Sequence, residues 1–148
     1  MIEFTLSRAI GAPPPVAFET ITDHEAYPEF TPIRRAAIER PGGGAANGTG
    51  AIRALHLLGP PIREEVLEYE APTRFRYRVL SGVPVLRSQV GTVSLEGDGP
   101  GCVMRYEIEA EPRLPLSGRA IELGMKAAIG RLMRGVAEEA ERRARSDG

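Results

Sequence analysis

Few side chains in this sequence are equipped to move protons or electron pairs. His24 and His56 are the only histidines, and Cys102 is the only cysteine. A nucleophilic relay needs a Ser or Cys beside a base that a third group orients, and no Gly-x-Ser-x-Gly run presents such a serine. Zinc needs three or four clustered ligands, which two separated histidines and one cysteine do not supply. Gly42-Gly43-Gly44 is not followed by the Lys-Ser/Thr pair of a phosphate cradle. No metal and no cofactor is therefore expected. What remains is general acid–base chemistry, or binding, by polar side chains set in an apolar enclosure.

Four residues are candidates for acid–base work: His56, Glu64, Arg87 and Tyr106. His56 shares a strand face with Ile52 and Ala54. Facing inward it would titrate near neutrality; facing outward it is a rim residue. Glu64 shares a face with Ile62 and Val66, yet Glu64, Glu65, Glu68 and Glu70 also read as a solvated acidic edge. Arg87 and Gln89 fall on the face of Val93 and Leu95 by period two, where they would suit a carboxylate or carbonyl oxygen. A bulge at Gly91 would turn both to water. Tyr77 and Tyr106 lie on apolar strand faces, either donating to a carbonyl ligand or simply packing. Tyr27 and Phe30 suit a pocket mouth, and Met125, Ala128 and Leu132 a helical wall. His24 is expected on an exposed rim.

The elements that must position these residues are punctuated by 17 glycines and 13 prolines. A first strand, Ile2–Ile10, alternates with Ile2, Phe4, Leu6 and Ile10 on one face. Pro14 or Pro15 fits the first turn of a short helix, and Asp23 is a plausible N-cap for a second, kept short by Pro28 and Pro32. Strands are expected over 33–40, 50–57, 62–70, 74–81, 85–96 and 102–111, with a flexible tip at Pro41–Gly50. Phe75, Tyr77 and Val79 oppose Arg74, Arg76 and Arg78, giving one dry and one wet face, as antiparallel sheets have. One long helix, 116–145, carries a stripe of Ile121, Met125, Ala128, Leu132 and Val136 that needs the dry face of the sheet.

This order resembles the START-like, or Bet v 1-like (SRPBCC), superfamily over the whole chain. Ile10-Gly11-Ala12-Pro13, Val16-Ala17-Phe18 and Asp23 are similar to the opening of its polyketide cyclase/dehydrase and lipid-transport group. Tyr27-Pro28-Glu29-Phe30-x-Pro32 resembles a stretch of coenzyme-Q-binding proteins. The resemblance implies a single α+β domain with a helix-grip fold. In that fold a curved seven-stranded antiparallel sheet wraps a long C-terminal helix, with two short helices after strand one and an elongated apolar pocket between sheet and helix.

The totals narrow the partners. The net charge is −1 from 19 basic and 20 acidic residues, without the concentrated basic excess of a nucleic-acid binder. No stretch reaches the roughly 18 apolar residues of a membrane span. The opening MIEFTLSR lacks the basic-then-apolar pattern of a secretory leader. A cytoplasmic protein, monomeric or homodimeric, is expected. The leading functional expectation is a carrier or sensor of an apolar, polyketide-, quinone- or lipid-like molecule. One alternative is a cyclase, aromatase or dehydratase working in the same cavity. Another is a protein-interaction module acting through Arg74, Arg76, Arg78 and Arg105 on the outer face.

Overall fold

The structure is a computed structural model and describes residues 1–147. Strand β1 (Ile2–Ile10) is followed by α1 (Pro14–Thr22), a 3-10 turn (His24–Ala26) and α2 (Tyr27–Phe30). Then come β2 (Arg35–Arg40), β3 (Ile52–His56), β4 (Ile62–Glu70), β5 (Arg74–Ser81), β6 (Leu86–Asp98), β7 (Gly101–Pro112) and α3 (Gly118–Asp147). The strands form one antiparallel sheet in the order β1-β7-β6-β5-β4-β3-β2. The first strand thus lies beside the last. The α1–α2 pair carries the chain from one edge of the sheet to the other. This is the helix-grip arrangement that the element order implies.

Alternation sets the faces. Phe75 and Tyr77 of β5, Val93 and Leu95 of β6, and Met104, Tyr106 and Ile108 of β7 are buried on the concave side. The opposite face is charged, and it is neutralised within the sheet. Arg74 pairs with Glu68, Arg76 reaches Glu68 at 3.8 Å, and Arg78 meets Glu65 at 2.7 Å. The acidic run of β4 is thus the counter-charge to the arginines of β5. Three of the four cations expected to form a docking stripe are occupied this way.

Helix α3 lies on the concave face with Ile129, Met133, Val136, Ala137 and Ala140 buried. Steps of four and three residues from Met125 through Ile129, Met133, Val136 and Ala140 define the seam. That seam leaves Ala128 exposed, while Met125 and Leu132 are half-buried at its margins. The expected wall therefore loses Ala128, because the stripe runs one residue further round the helix than 121-125-128 suggests.

Two ties fix α3 to the N-terminal half. Glu141 accepts a bond from the Gly11 N–H at 2.8 Å. Arg143 donates to Asp23 at 3.0 Å and lies over the Phe30 ring at 5.6 Å. Asp23 stands at the N-cap position of the 3-10 turn, as expected, but its carboxylate makes no capping bond and is drawn to Arg143 instead. Glu139 bridges Arg142 and Arg143, which hold its carboxyl at about 2.

The closest approach is at Gly135, where an added Cβ would stand 2.0 Å from the Phe30 carbonyl oxygen. Helix propensity alone makes Gly135→Ala stabilising by about 1 kcal/mol. The backbone contact reverses the sign: Gly135→Ala should lose about 1–3 kcal/mol in chemical denaturation, the usual cost of overpacking. A gain in stability would show that α2 does not press on α3.

Candidate functional site

The centre of the concave face is polar. Arg53 and Glu64 are directly opposite in the β3–β4 register, so both point to one side of the sheet. Glu64 accepts from Arg53 Nε at 2.8 Å and from Nη2 at 2.7 Å, and the side chains are only 4% and 9% exposed. The guanidinium lies 5.1 Å from the Tyr77 ring centroid and 5.6 Å from that of Phe75. Burial alone would make this cation easier to deprotonate, but Glu64, with Tyr27 and Tyr77, more than offsets it, and its pKa is raised.

Arg53 Nη1 reaches the other way, to His24 Nδ1 at 3.3 Å. Asn47, from the β2–β3 tip, touches the same nitrogen at 3.3 Å. The Asn47 atom is its amide oxygen, an acceptor, whereas arginine only donates, so the two contacts call for opposite tautomers: pairing with Arg53 puts the ring proton on Nε2, pairing with Asn47 puts it on Nδ1. His24 is 1% exposed, not on an open rim as its polar neighbours suggest. Burial first, and the Arg53 charge second, hold its pKa well below 6.5, so the ring is neutral. Its Nε2 has no hydrogen-bond partner among the described residues. An orphaned buried donor or acceptor costs about 1–3 kcal/mol.

Tyr77 and Tyr106 complete the cluster, their hydroxyls 2.5 Å apart. Desolvation raises both phenols, so they are neutral donors. Gly91 makes room for this pair. It is in register with Tyr77 and Ile108, and a Cβ there would stand 2.4 Å from the Tyr77 ring. The glycine marks a close ring approach rather than the bulge expected at that position.

The other expected site residues are distributed differently. Tyr27 is buried, but its hydroxyl donates to the Ile21 carbonyl, which makes it an anchor for the α1–α2 turn. Phe30 is half-buried beneath Arg143. His56 falls on the face opposite Arg53 and Leu55, because β3 alternates one residue out of phase with the inward expectation. A register shift between Leu86 and Ser88 puts Leu86 inside and leaves Arg87 exposed. Gln89 is half-buried, and Arg87 and Gln89 both line a cleft of about 420 Å³ at the end of β5 and β6. Of His56, Glu64, Arg87 and Tyr106, only Glu64 and Tyr106 are brought to the concave side. Arg53 and His24 take the places that sequence reasoning gave to Arg87 and His56.

The space between sheet and helix is not one open hollow. Its middle is filled by Phe75, Tyr77, Met104, Ile108 and Met133, each 2% exposed or less. Towards the start of α3 the packing loosens. Val79, Val83, Ile121, Met125 and Leu132 are apolar side chains only partly covered there.

Residues 1–145 match the family described as polyketide cyclase/dehydrase and lipid transport. The chain belongs to this family. Its fold is shared with solved structures of the START-like superfamily. One is the di-domain ARO/CYC StfQ of the steffimycin biosynthetic pathway (TM-score 0.81, 15% identity, 97% of this chain and 51% of that one). Another is Ara h 8.0201 (TM-score 0.75, 14% identity, 94% and 97%). A third is a START superfamily protein from Mycobacterium smegmatis (TM-score 0.73, 15% identity, 99% of both chains). No curated protein matches the sequence. Among the described residues, no helix is long and apolar enough to cross a membrane.

Two measurements check the cluster. Arg53→Met leaves Glu64 buried and unpaired and should cost about 3–5 kcal/mol, whereas Arg53→Met with Glu64→Leu should recover most of that loss. Additive losses in the double-mutant cycle would mean that the two side chains do not form a desolvated pair. For His24, the unfolded chain takes up a proton as pH falls through about 6.5 while the folded ring does not. The wild type should therefore hold full stability above that pH and lose up to about 1.4 kcal/mol per pH unit below it. His24→Gln should flatten that slope in denaturant melts between pH 7.5 and 5.5.

Proposed function

We propose that the chain binds an apolar small molecule bearing an oxygen acceptor, as a carrier or sensor. The acceptor would face the Arg53–His24–Tyr77–Tyr106 cluster, and the apolar body would lie along Val79, Val83, Ile121, Met125 and Leu132. The observation that carries this reading is the buried His24 Nε2 without a hydrogen-bond partner, on a neutral ring beside the Arg53 guanidinium. Replacing a buried ion pair by hydrophobic residues is often neutral or stabilising. A core that keeps one, with a neutral histidine and two tyrosines beside it, is organised for more than stability. In the tautomer that pairs with Arg53, a carbonyl or carboxylate oxygen would satisfy Nε2. Burial of the apolar body, at about 25 cal/mol per Å², would supply most of the affinity.

A cyclase-type activity is the second reading, favoured by the likeness to StfQ. Acid–base chemistry needs an available base near the substrate. Glu64 is the carboxylate in the cluster, and its Oε1 is bound by two Arg53 nitrogens. The polar groups thus fit holding and polarising a carbonyl better than abstracting a proton.

Native mass spectrometry of the purified protein should reveal a co-purifying apolar molecule. With a fluorescent polycyclic aromatic ketone as probe, Tyr106→Phe should weaken binding up to about tenfold, the worth of one good hydrogen bond. Leu132→Lys should abolish it. Unchanged affinity in Leu132→Lys would refute the location. Conversion of the probe to a dehydrated or cyclised product, lost in Glu64→Gln, would establish the second reading instead.

A further inference from the structure

Every large apolar side chain that stands exposed among the described residues belongs to one end of the sheet. Leu57 and Leu58 follow β3, Leu80 closes β5 and Val85 precedes β6. Leu114 and Leu116 lie between β7 and α3, Met1 precedes β1, and Leu123 lies in the second turn of α3. The register gathers these segments at a common end: Ile2 pairs with Ala110, Leu86 with Pro112, Arg63 with Ser81 and Arg35 with His56. The opposite end, with the Gly42–Gly50 tip and the β6–β7 turn, has none.

Leu116 is the extreme case. It is fully exposed, and its φ of 66° lies in the left-handed region that favours glycine. A bulky residue held there, with its side chain in water, is an unfavourable choice for the isolated fold.

Charge follows the same end. Arg34, Arg35, Arg87, Arg113 and Arg119 are exposed there and join no ion pair among the described residues, against Glu3, Glu109 and Glu111. Arg87 and Arg113 stand where β5 and β6 part beyond the Arg78–Val90 pair. Both line the cleft of about 420 Å³, together with Arg63, Ser81, Ser88 and Gln89. Both also line a second cleft of about 480 Å³ beside Met1, Leu114 and Leu116. Arginines thus sit just behind protruding leucines. Pairing of two copies through this rim would set those arginines against one another. An interfacial bilayer layer is complementary, with acyl chains for the tips and phosphates for the guanidinium forks.

We propose that this end docks on an anionic lipid surface, with Leu114, Leu116 and Leu58 entering the acyl boundary and Arg87 and Arg113 seating headgroup phosphates. The inference concerns the surface alone and stands whether or not the interior holds a ligand.

Co-sedimentation with extruded vesicles tests it. The protein should bind phosphatidylcholine vesicles containing about 30% phosphatidylglycerol and release in about 0.5 M salt, with at least tenfold weaker binding to pure phosphatidylcholine. Arg87→Glu with Arg113→Glu should lower affinity for the anionic vesicles about tenfold or more. Leu116→Gly should lower it too, while leaving the thermal midpoint unchanged or higher because the left-handed backbone is relieved. Arg131→Glu with Arg134→Glu, the same charge change on the outer side of α3, should bind as wild type. The proposal fails if vesicles of either composition are not bound. It also fails if millimolar glycerol phosphate displaces the protein as well as vesicles do, which would indicate a small-anion site. Equally, it fails if Leu116→Gly changes only self-association in sedimentation velocity, which would assign the rim to a second copy.

Discussion

The interior is organised around one ion pair that is almost wholly removed from water. Arg53 and Glu64 face each other across β3 and β4 and bury both charges. A desolvated guanidinium demands that each of its N–H groups be met. Glu64 takes Nε and Nη2; His24 takes Nη1. The aromatic faces of Phe75 and Tyr77 cover the rest of the cation. The neutrality of the His24 ring follows from its burial first and from this cation second, and its far nitrogen Nε2 is left without a partner among the described residues.

The helices serve the same constraint from above. His24 can reach Arg53 only because the α1–α2 turn is pressed onto the sheet. That turn is held by the Tyr27 hydroxyl, by Arg143 on Asp23, and by the absence of a side chain at Gly135. The C-terminal half of α3 is thus a clamp, rich in alanine and glycine where it meets α1 and α2. Its N-terminal half is held less closely, and there its apolar residues are half-covered. One helix divides the space beneath it into a packed part and an accessible part.

Much of the fold was legible in the sequence, because β1, β5 and β7 alternate over eight or more residues and α3 is long and periodic. Boundaries fell within two residues of those expected for these elements. The site was legible only in part. Tyr77, Tyr106 and Glu64 stand on faces that period two identifies. Arg53 does not announce itself: β3 has five residues, apolar ones on both faces, and an arginine among them reads as outward by default. His24 lies in a polar stretch whose burial is decided by the closure of α1 and α2 over the sheet, which no local pattern encodes. Arg87 was misplaced by a register shift at Leu86–Ser88 that carries no glycine to mark it. Ala128 was misplaced because a stripe with steps of both three and four fits two adjacent lines on a helix.

The chain has no tryptophan and only four tyrosines. Three of them, Tyr27, Tyr77 and Tyr106, are buried at or beside the charged pair, and the fourth, Tyr69, packs edge-on against Phe18. The near-ultraviolet spectrum of this protein is therefore written almost entirely by its interior. Phenol absorbance and emission act as an intrinsic optical gauge of the cluster, sensitive to anything that alters the hydroxyl contact between Tyr77 and Tyr106 and largely blind to events on the outer face.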